Sequence, residues 1–257
     1  MEQKHLEVLR DIINGHSNFL ITSHIIPDGD GLGSEIALKH FLEKLNKKAV
    51  IINQDFAAER YDFIDPDKEV WIYDDACKNL SFDEFEILFV LDTSSGSRLG
   101  KTAELADLYN LRTVSLDHHD SAGDLGDPCI QDREASSIGE MIYDLVAFYN
   151  VEFDMKLAMP IYLSIVSDTG SFHYPNTTPR CHEIAAHLMR VGVNPAIVNT
   201  AVFERNTMNQ VILLGECMQH IETDNRGRLV WMTLTQNMLK NHSVSHYDTY
   251  FFIDYLK

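Results

Sequence analysis

The stretch FLITSHIIPDGDGLGS, residues 19–34, joins an apolar run to a segment that holds one histidine, two aspartates and three glycines. The run Phe19–Thr22 has the length and composition of a short buried strand. The three glycines predict a tight loop that turns the two aspartates inward. Ser34 is of a type that caps helices, and helical periodicity follows it. We therefore expect a strand, a polar loop and then a helix that begins at Ser34.

The pattern of a strand followed by a helix recurs along the first half of the chain. Apolar runs predict further strands at Ala49–Asn53, Val70–Tyr73, Ile87–Leu91 and Thr113–Leu116. Helical spacing occurs between several of them, and strands that alternate with helices are typical of a parallel sheet. The sequence therefore predicts the α/β class, with a mostly parallel sheet flanked by helices.

The chain after Ser136 has mainly helical patterns. Apolar faces with suitable caps predict helices at Ser137–Tyr149, Met155–Ser167, Pro179–Arg190, Pro195–Phe203 and Met208–His220. Two short strand patterns then flank a turn at Asp224–Gly227, which predicts a β-hairpin. Short helical segments follow it. We interpret this last part as the beginning of a second α/β domain at the C-terminus.

Composition argues against several classes of protein. The chain has 257 residues and a formal net charge of −18, which does not suit a protein that grips long nucleic acid through its phosphates. The four cysteines form no CxxC pair, so they predict neither a zinc knuckle nor a disulfide framework. The sequence shows no basic signal segment and no apolar run of membrane-spanning length. We expect a cytoplasmic protein with reduced thiols and no membrane partner.

Polar side chains follow three of the predicted strands. The patterns FLITSH, ILFVLD and TVSLDHH end on His24, on Asp92, and on Asp117, His118 and His119. Parallel strands place their carboxyl ends along one edge, where open α/β sheets bind ligands. Asp28 and Asp30 from the opening loop would join them there. Asp168 closes the apolar run in AMPIYLSIVSDTG, and a carboxylate in that position needs a partner.

Imidazole and carboxylate groups without thiolate are suitable ligands for Mn²⁺, Mg²⁺, Fe²⁺ or Zn²⁺. These candidates exceed what one ion needs, so they predict two ions that share one aspartate. Two neighbouring ions are a recurrent device for phosphoryl displacement, because they activate a water and neutralise charge on the phosphate. Each residue alone has a plainer explanation, since PDGDG is a common turn and a strand-end aspartate a common helix cap. The prediction therefore rests on the coincidence of several strand ends.

Two further segments leave their roles open. The segment GSRLG, residues 96–100, is compatible with phosphate binding through Arg98 and equally with the start of a helix. The acidic cluster in residues 62–75 lacks the spacing of a calcium-binding loop. A solvated surface is the better interpretation of that cluster.

Four segments together resemble the motifs of the DHH phosphoesterases, a family named after the triplet that stands here as Asp117-His118-His119. They are SHIIPDGDGLGS at 23–34, LFVLDTSSGSRLG at 88–100, SLDHHDSAGDLGD at 115–127 with ASSIGE at 135–140, and SIVSDTGSFHYPNTTP at 164–179. Within the family, the chain resembles the bacterial hydrolases of nanoRNA and of 3′-phosphoadenosine-5′-phosphate (pAp).

The resemblance implies a role for each matching residue. One Mn²⁺ would be held by His24, Asp28 and Asp92, and a second by Asp30, Asp92, His118 and Asp168, with Asp92 as the bridge. His119 would stand beside the scissile phosphate as an electrostatic or acid partner. Asp117 would orient the histidines, as metal-bound imidazoles commonly require.

The resemblance also implies an activity and a domain plan. The activity would be a manganese-dependent hydrolysis of phosphoester bonds in short nucleotides such as nanoRNA, pAp or pApA. Residues 1–205 would form the DHH domain, 206–216 a linker helix and 217–257 part of a DHHA1-like substrate-binding domain. The glycine-rich GGGH segment of that second domain does not occur in this sequence, so we expect only its first part here.

Two alternatives to this activity stay open. One is an enzyme like the inorganic pyrophosphatases, and the other is a metal-dependent nucleotide-binding module without turnover. The sequence also leaves open the preferred nucleotide, the polarity of cleavage, the use of Mg²⁺ in place of Mn²⁺, and the oligomeric state, for which a homodimer is one alternative.

Overall fold

Six short strands form one sheet in the computed structural model, which describes residues 1–120, 123 and 125–256. They are β1 Asn18–Thr22, β2 Lys48–Asn53, β3 Val70–Ile72, β4 Ile87–Leu91, β5 Arg112–Asp117 and β6 Cys129–Gln131. Their order across the sheet is β3-β2-β1-β4-β5-β6, and every neighbouring pair is parallel. The predicted α/β class with a mostly parallel sheet is confirmed. The sequence pattern missed β6, because this short strand contains Gln131 and is flanked by polar residues and proline, so it shows no apolar run.

Helices follow most of the strands and predominate in the second half of the chain. They are α1 Gln3–Gly15, α2 Gly29–Lys44, α3 Tyr73–Asn79, α4 Glu104–Tyr109, α5 Ile138–Phe148, α6 Met155–Asp168, α7 Pro179–Val191, α8 Pro195–Asn199, α9 Met208–Met218 and α10 Gln236–His242. The helix predicted over Pro195–Phe203 is divided in the structure, because α8 ends at Asn199 and a π-helical turn over Thr200–Glu204 follows it. The chain separates into two units, Met1–Val198 and Asn199–Lys257.

Helix α2 is the central helix of the first unit. It is buried from Gly29 to Leu42, and it contacts α5, α6 and the strands β1, β2 and β4. The prediction that this helix begins at Ser34 is wrong. Asp28 is the N-cap, and its side chain accepts hydrogen bonds from the amides of Asp30 and Gly31. The glycines of the opening motif therefore lie in the first turns of a helix and not in a loop.

Close packing against α6 explains two of these glycines. A Cβ atom at Gly33 would lie 2.5 Å from the carbonyl oxygen of Pro160, and one at Gly29 would lie 2.5 Å from the hydroxyl of Ser167. Both distances are shorter than real Cβ contacts. Glycine thus lets the start of α2 pack closely against α6 at Pro160 and at Ser167, the residue before Asp168.

The strands in the middle of the sheet are buried on both faces, as is usual for parallel sheets. Successive side chains of a strand point to opposite faces. Leu20, Leu88 and Val90 belong to a buried cluster that includes residues of α3 and α4. Phe19 and Phe89, from the same two strands, stack with their ring centroids 5.8 Å apart. This rigid centre holds the carboxyl ends of β1 and β4 in place.

The second unit contains a small core of its own. Strand β7 Glu222–Thr223 pairs with β8 Val230–Trp231 in an antiparallel hairpin, so the predicted hairpin is confirmed. Leu213 and Cys217 of α9 pack with Leu239 of α10 and with Phe251 and Phe252 of a terminal 3₁₀ segment. All four cysteines of the chain are free. Across the described residues, no helix combines the length and the apolar character that a membrane crossing requires.

Candidate metal centre

The carboxyl ends of three strands bring the predicted polar side chains together. Strands β1 and β4 are neighbours, but the chain runs from β1 to β2 on the other side, so the strand order reverses between them. In open α/β sheets, ligands bind in the crevice at such a reversal. His24 follows β1, Asp92 follows β4, and Asp117 ends β5. The crevice is therefore lined by the groups that the sequence singled out.

His24, Asp28 and Asp92 form the first group, with possible ligand atoms within 4.8 Å of one another. His24 Nε2 lies 3.2 Å from Asp92 Oδ2 and 3.9 Å from Asp28 Oδ2. His24 Nδ1 donates to the carbonyl of Ile25 over 2.7 Å, which leaves Nε2 facing the carboxylates. Burial alone would lower the pKa of His24, but Asp92 and Asp28 raise it to about 9. The site thus attracts positive charge at this nitrogen.

Asp30, His118 and Asp168 form the second group. His118 Nε2 lies 3.4 Å from Asp30 Oδ2, 3.6 Å from Asp168 Oδ2 and 3.5 Å from Asp92 Oδ1. Burial alone would lower the pKa of His118, but the three carboxylates raise it to about 10. Asp92 therefore faces both groups, with Oδ2 toward His24 and Oδ1 toward His118.

The backbone at Asp92 explains how one side chain reaches both groups. Its φ of +61° lies in the left-handed region, which aspartate tolerates better than most residues. The Asp92 amide donates to the carbonyl of Leu116 on β5 over 3.0 Å. The chain thus turns sharply where β4 ends, and the carboxylate lies between the residues that follow β1 and β5.

Asp30 is held by the N-terminus of α5. Its carboxylate accepts hydrogen bonds from the amides of Ile138 and Gly139, at 3.0 Å and 3.3 Å, and from the hydroxyl of Ser164. The partial positive charge of a helix N-terminus favours a carboxylate there. Burial and the charge of Asp92 nevertheless raise the pKa of Asp30 well above its ordinary value. Burial and the repulsion by Asp92 therefore disfavour the negative charge of the Asp30 carboxylate, whose Oδ2 faces His118.

The centre has the properties of a cation site. Asp92 Oδ1 and His118 Nε2 are buried, and within the described residues neither has a hydrogen-bond partner. Burial and the neighbouring carboxylates raise the pKa of Asp168 to about 6. Aspartates packed this closely repel one another unless positive charge lies between them. A donor set of carboxylates and imidazoles, without thiolate, fits divalent ions of the Mn²⁺ and Mg²⁺ type.

His119 lies at the rim of the centre, where Asp117 orients it. The His119 side chain is 43% exposed, and its Nδ1 lies 2.8 Å from Asp117 Oδ1 and 3.6 Å from Asp92 Oδ1. Asp117 is buried, which would raise its pKa, but hydrogen bonds from His119 and the Ser94 hydroxyl lower the pKa to about 2. The ionised Asp117 therefore holds Nδ1 of His119, and Nε2 has no partner among the residues that the structure describes.

Sequence reasoning missed a buried pair behind the first group. The side-chain nitrogen of Asn53 donates a hydrogen bond to Glu35 Oε2 over 2.8 Å. Asn53 Oδ1 accepts a hydrogen bond from the amide of Ser23, the residue before His24, over 3.4 Å. Burial raises the pKa of the Glu35 carboxyl to about 7. Both residues lie at ordinary positions of a helix and a strand, so a single sequence carries no signal for them. They fix the strand end from which His24 extends.

Asn176 is the second residue that was missed. Its side-chain amide donates to Asp168 Oδ2 over 3.2 Å and to the carbonyl of Ser136 over 3.0 Å. It thereby positions the Asp168 carboxylate relative to the residues that precede α5. The sequence YPNTT, residues 174–178, gives no indication of this contact, because an asparagine in a loop is usually a turn residue.

The segment of residues 96–100 forms short 3₁₀ turns over Gly96–Arg98 and Gly100–Ala103 before α4 begins. This agrees with the interpretation of the segment as a helix start. The carbonyl of Arg98 accepts the Ile25 amide over 2.7 Å, so the segment is tied to the loop that follows His24. The side chain of Arg98 is exposed.

Comparison with known proteins shows which family has these motifs. The model of the DHH family, N-terminal domain, matches residues 18–166. A bifunctional oligoribonuclease and PAP phosphatase NrnA from Thermus thermophilus is 30% identical over 177 residues, which are 68% of this chain and 51% of that protein. The Bacillus subtilis protein with the same name is 26% identical over 228 residues, which are 86% of this chain and 67% of that protein.

A solved structure has the same fold. The crystal structure of an exopolyphosphatase-related protein from Bacteroides fragilis matches with a TM-score of 0.88 at 21% identity, and covers 98% of this chain and 76% of that one. The chain spans about half the length of two of its curated relatives, 51% of the Thermus thermophilus protein and 55% of the protein MG371 from Mycoplasma genitalium. Because the family model covers more than half of the chain, including His24, Asp92 and the Asp117–His119 triplet, this chain belongs to the DHH family.

Proposed function

We propose that the chain hydrolyses phosphoester bonds in short nucleotides, with nanoRNA, pAp or pApA as substrates and two Mn²⁺ ions as cofactors. The observation that carries the proposal is the position of Asp92, whose two oxygens face two separate groups of possible ligands. The names of the Thermus and Bacillus relatives, oligoribonuclease and PAP phosphatase, support the substrate class.

In this proposal each of the two groups holds one ion. The ligands of the first are His24, Asp28 and Asp92, and those of the second are Asp30, Asp92, His118 and Asp168. When bound, the ions supply Lewis-acid chemistry that activates water and neutralises charge on phosphate. The chain as a whole is strongly acidic, so an anionic substrate needs such a local source of positive charge.

The residues of the chain perform the other tasks. Asp28 uses one carboxylate oxygen to cap α2 and presents the other toward His24. His119 lies at the exposed rim, where its Nε2 can contact the phosphate or the departing oxygen as an electrostatic or acid partner. Asp117 holds the ring in that orientation. The reaction is thus a hydrolysis in which the protein positions the phosphate and supports the leaving group.

Metal binding is expected to stabilise the folded chain. An ion that binds only the native state adds about 2.7 kcal/mol at a concentration of about 100 times its dissociation constant. For a chain of this size we expect Mn²⁺ to raise the midpoint of thermal unfolding by roughly 5–10 °C. Calorimetry with Mn²⁺, and then with excess EDTA to reverse the shift, measures this effect. An unchanged midpoint at millimolar Mn²⁺ would contradict the proposed centre.

A panel of substrates tests the activity itself. The chain is incubated with Mn²⁺ and, separately, with pAp, pApA, a short RNA, cyclic di-AMP and pyrophosphate, and the products are followed by chromatography. We expect release of AMP from pAp or of mononucleotides from the RNA, and loss of this activity in EDTA. Turnover of pyrophosphate alone would favour the pyrophosphatase alternative. No turnover of any compound by the Mn²⁺-loaded chain would favour a binding module.

Other features of the proposal concern the whole protein. We assign residues 1–205 to the DHH domain, 206–216 to a linker helix and 217–257 to the first part of a substrate-binding domain. The cytoplasmic location and a homodimer stay predictions, which fractionation and analytical ultracentrifugation would test.

A further inference from the structure

A cavity of about 250 Å³ lies in the first unit beside the beginning of α2. Its lining is largely apolar and includes Leu32, Phe56, Ala58 and Tyr61. Lys68, which forms an ion pair with Asp62, adds polar groups to the lining. A concave, mostly apolar space with a few polar groups is typical of a site for a small molecule. We call it the Phe56 cavity.

Two contacts place the Phe56 cavity next to the candidate metal centre. A Cβ atom at Gly29 would lie 3.2 Å from Cε1 of Tyr61, so the Tyr61 ring packs on the residue that follows Asp28. The amide of Ile26 donates to Asp55 Oδ2 over 3.1 Å, which ties the loop after His24 to the residue before Phe56. The wall of the cavity therefore adjoins the segment that carries His24 and Asp28.

Apolar side chains are exposed in this region. Phe56 is 75% exposed although it lines the cavity. Ile26 is 45% exposed, and its φ of +56° is one that β-branched residues rarely adopt. Strained residues persist where the surrounding structure enforces them, and they cluster at functional sites. An apolar group of a ligand would cover this surface.

We infer that the Phe56 cavity binds the nucleobase of the nucleotide whose phosphate lies at the metal centre, an inference that rests on the proposed function. The base is the planar and least charged part of a nucleotide, and such rings stack on aromatic side chains. Phe56 supplies the exposed ring for stacking, and the buried Tyr61 forms part of the apolar wall. Lys68 and Asp62 supply a donor and an acceptor for the edge of the base. The carboxylates of Asp62 and Asp65, which also line the cavity, disfavour a phosphate there.

A pair of ligands that differ only in the base tests this inference. The affinities of adenosine 5′-monophosphate (AMP) and ribose 5-phosphate for the Mn²⁺-loaded chain are measured by titration calorimetry. We expect AMP to bind about tenfold more tightly, as one stacked base contributes. Phe56→Ala removes a ring from the wall, and Ala58→Phe fills the space. Both variants should reduce the preference for AMP to roughly twofold and leave the affinities for ribose 5-phosphate and Mn²⁺ unchanged.

The matched control is Leu108→Ala, which removes another apolar side chain, 64% exposed, on α4. It should retain the full preference for AMP. Equal affinities of the unsubstituted chain for the two ligands would overturn the inference and leave the proposed function intact. A preference for AMP that survives both cavity substitutions would also overturn it. If neither ligand binds the Mn²⁺-loaded chain, the proposed function fails and the inference fails with it.

Discussion

Replacing Asp92 by asparagine is expected to reduce Mn²⁺-dependent hydrolysis by at least about 10³-fold. Asp92 faces both groups of candidate ligands, so the loss of its charge would weaken both of the proposed ion sites at once. Asparagine has nearly the same shape and tolerates the left-handed backbone that this position requires. Initial rates on the preferred nucleotide, together with Mn²⁺ affinities from titration calorimetry, measure the effect.

The control for Asp92→Asn is Asp75→Asn. Asp75 lies on α3, forms an exposed ion pair with Lys78 and has no contact with the centre among its described interactions. We expect this control to keep the rate within about twofold of the unsubstituted chain, because exposed ion pairs contribute little. An Asp92→Asn variant that keeps more than about a tenth of the activity would show that Asp92 does not bridge two ions.

Replacing Gly33 by alanine is expected to lower the free energy of unfolding by about 1–3 kcal/mol, the usual cost of an overpacked core. Two effects oppose each other here. Alanine favours helix by about 1 kcal/mol over glycine. Its Cβ, however, would lie 2.5 Å from the Pro160 carbonyl oxygen, a backbone atom that moves only if α6 moves. The steric effect therefore dominates, and activity should fall as well because α2 and α6 carry Asp30 and Asp168.

Unfolding in urea, followed by circular dichroism, measures the loss of stability. Gly15→Ala is the matched control, since Gly15 is also helical and a Cβ atom there would meet nothing within 4 Å. We expect the control to be as stable as the unsubstituted chain or slightly more stable. If Gly33→Ala unfolds at the same urea concentration as Gly15→Ala, the close approach of α2 and α6 does not depend on glycine.

The sequence by itself determined the α/β class and most of the strands. Apolar runs such as Phe19–Thr22 and Ile87–Leu91 are short and continuous, which is the pattern of strands buried on both faces. It also indicated which residues meet, because parallel strands end at one edge and polar groups follow β1, β4 and β5. The structure brings all six proposed ligands together, as well as His119 and Asp117. Their roles as metal ligands stay a proposal.

The tertiary structure alone decided where α2 begins and which groups support the site. Glycine has a low helix propensity, so local pattern predicted a loop over residues 29–33, whereas packing against α6 makes a helix there. Asn53, Glu35 and Asn176 act through contacts with residues distant in sequence, and a local pattern carries no information about such contacts. The Phe56 cavity arises in the same way, between the start of α2 and a loop after β2. Local periodicity records which side chains are buried, but only the folded chain determines which of them meet.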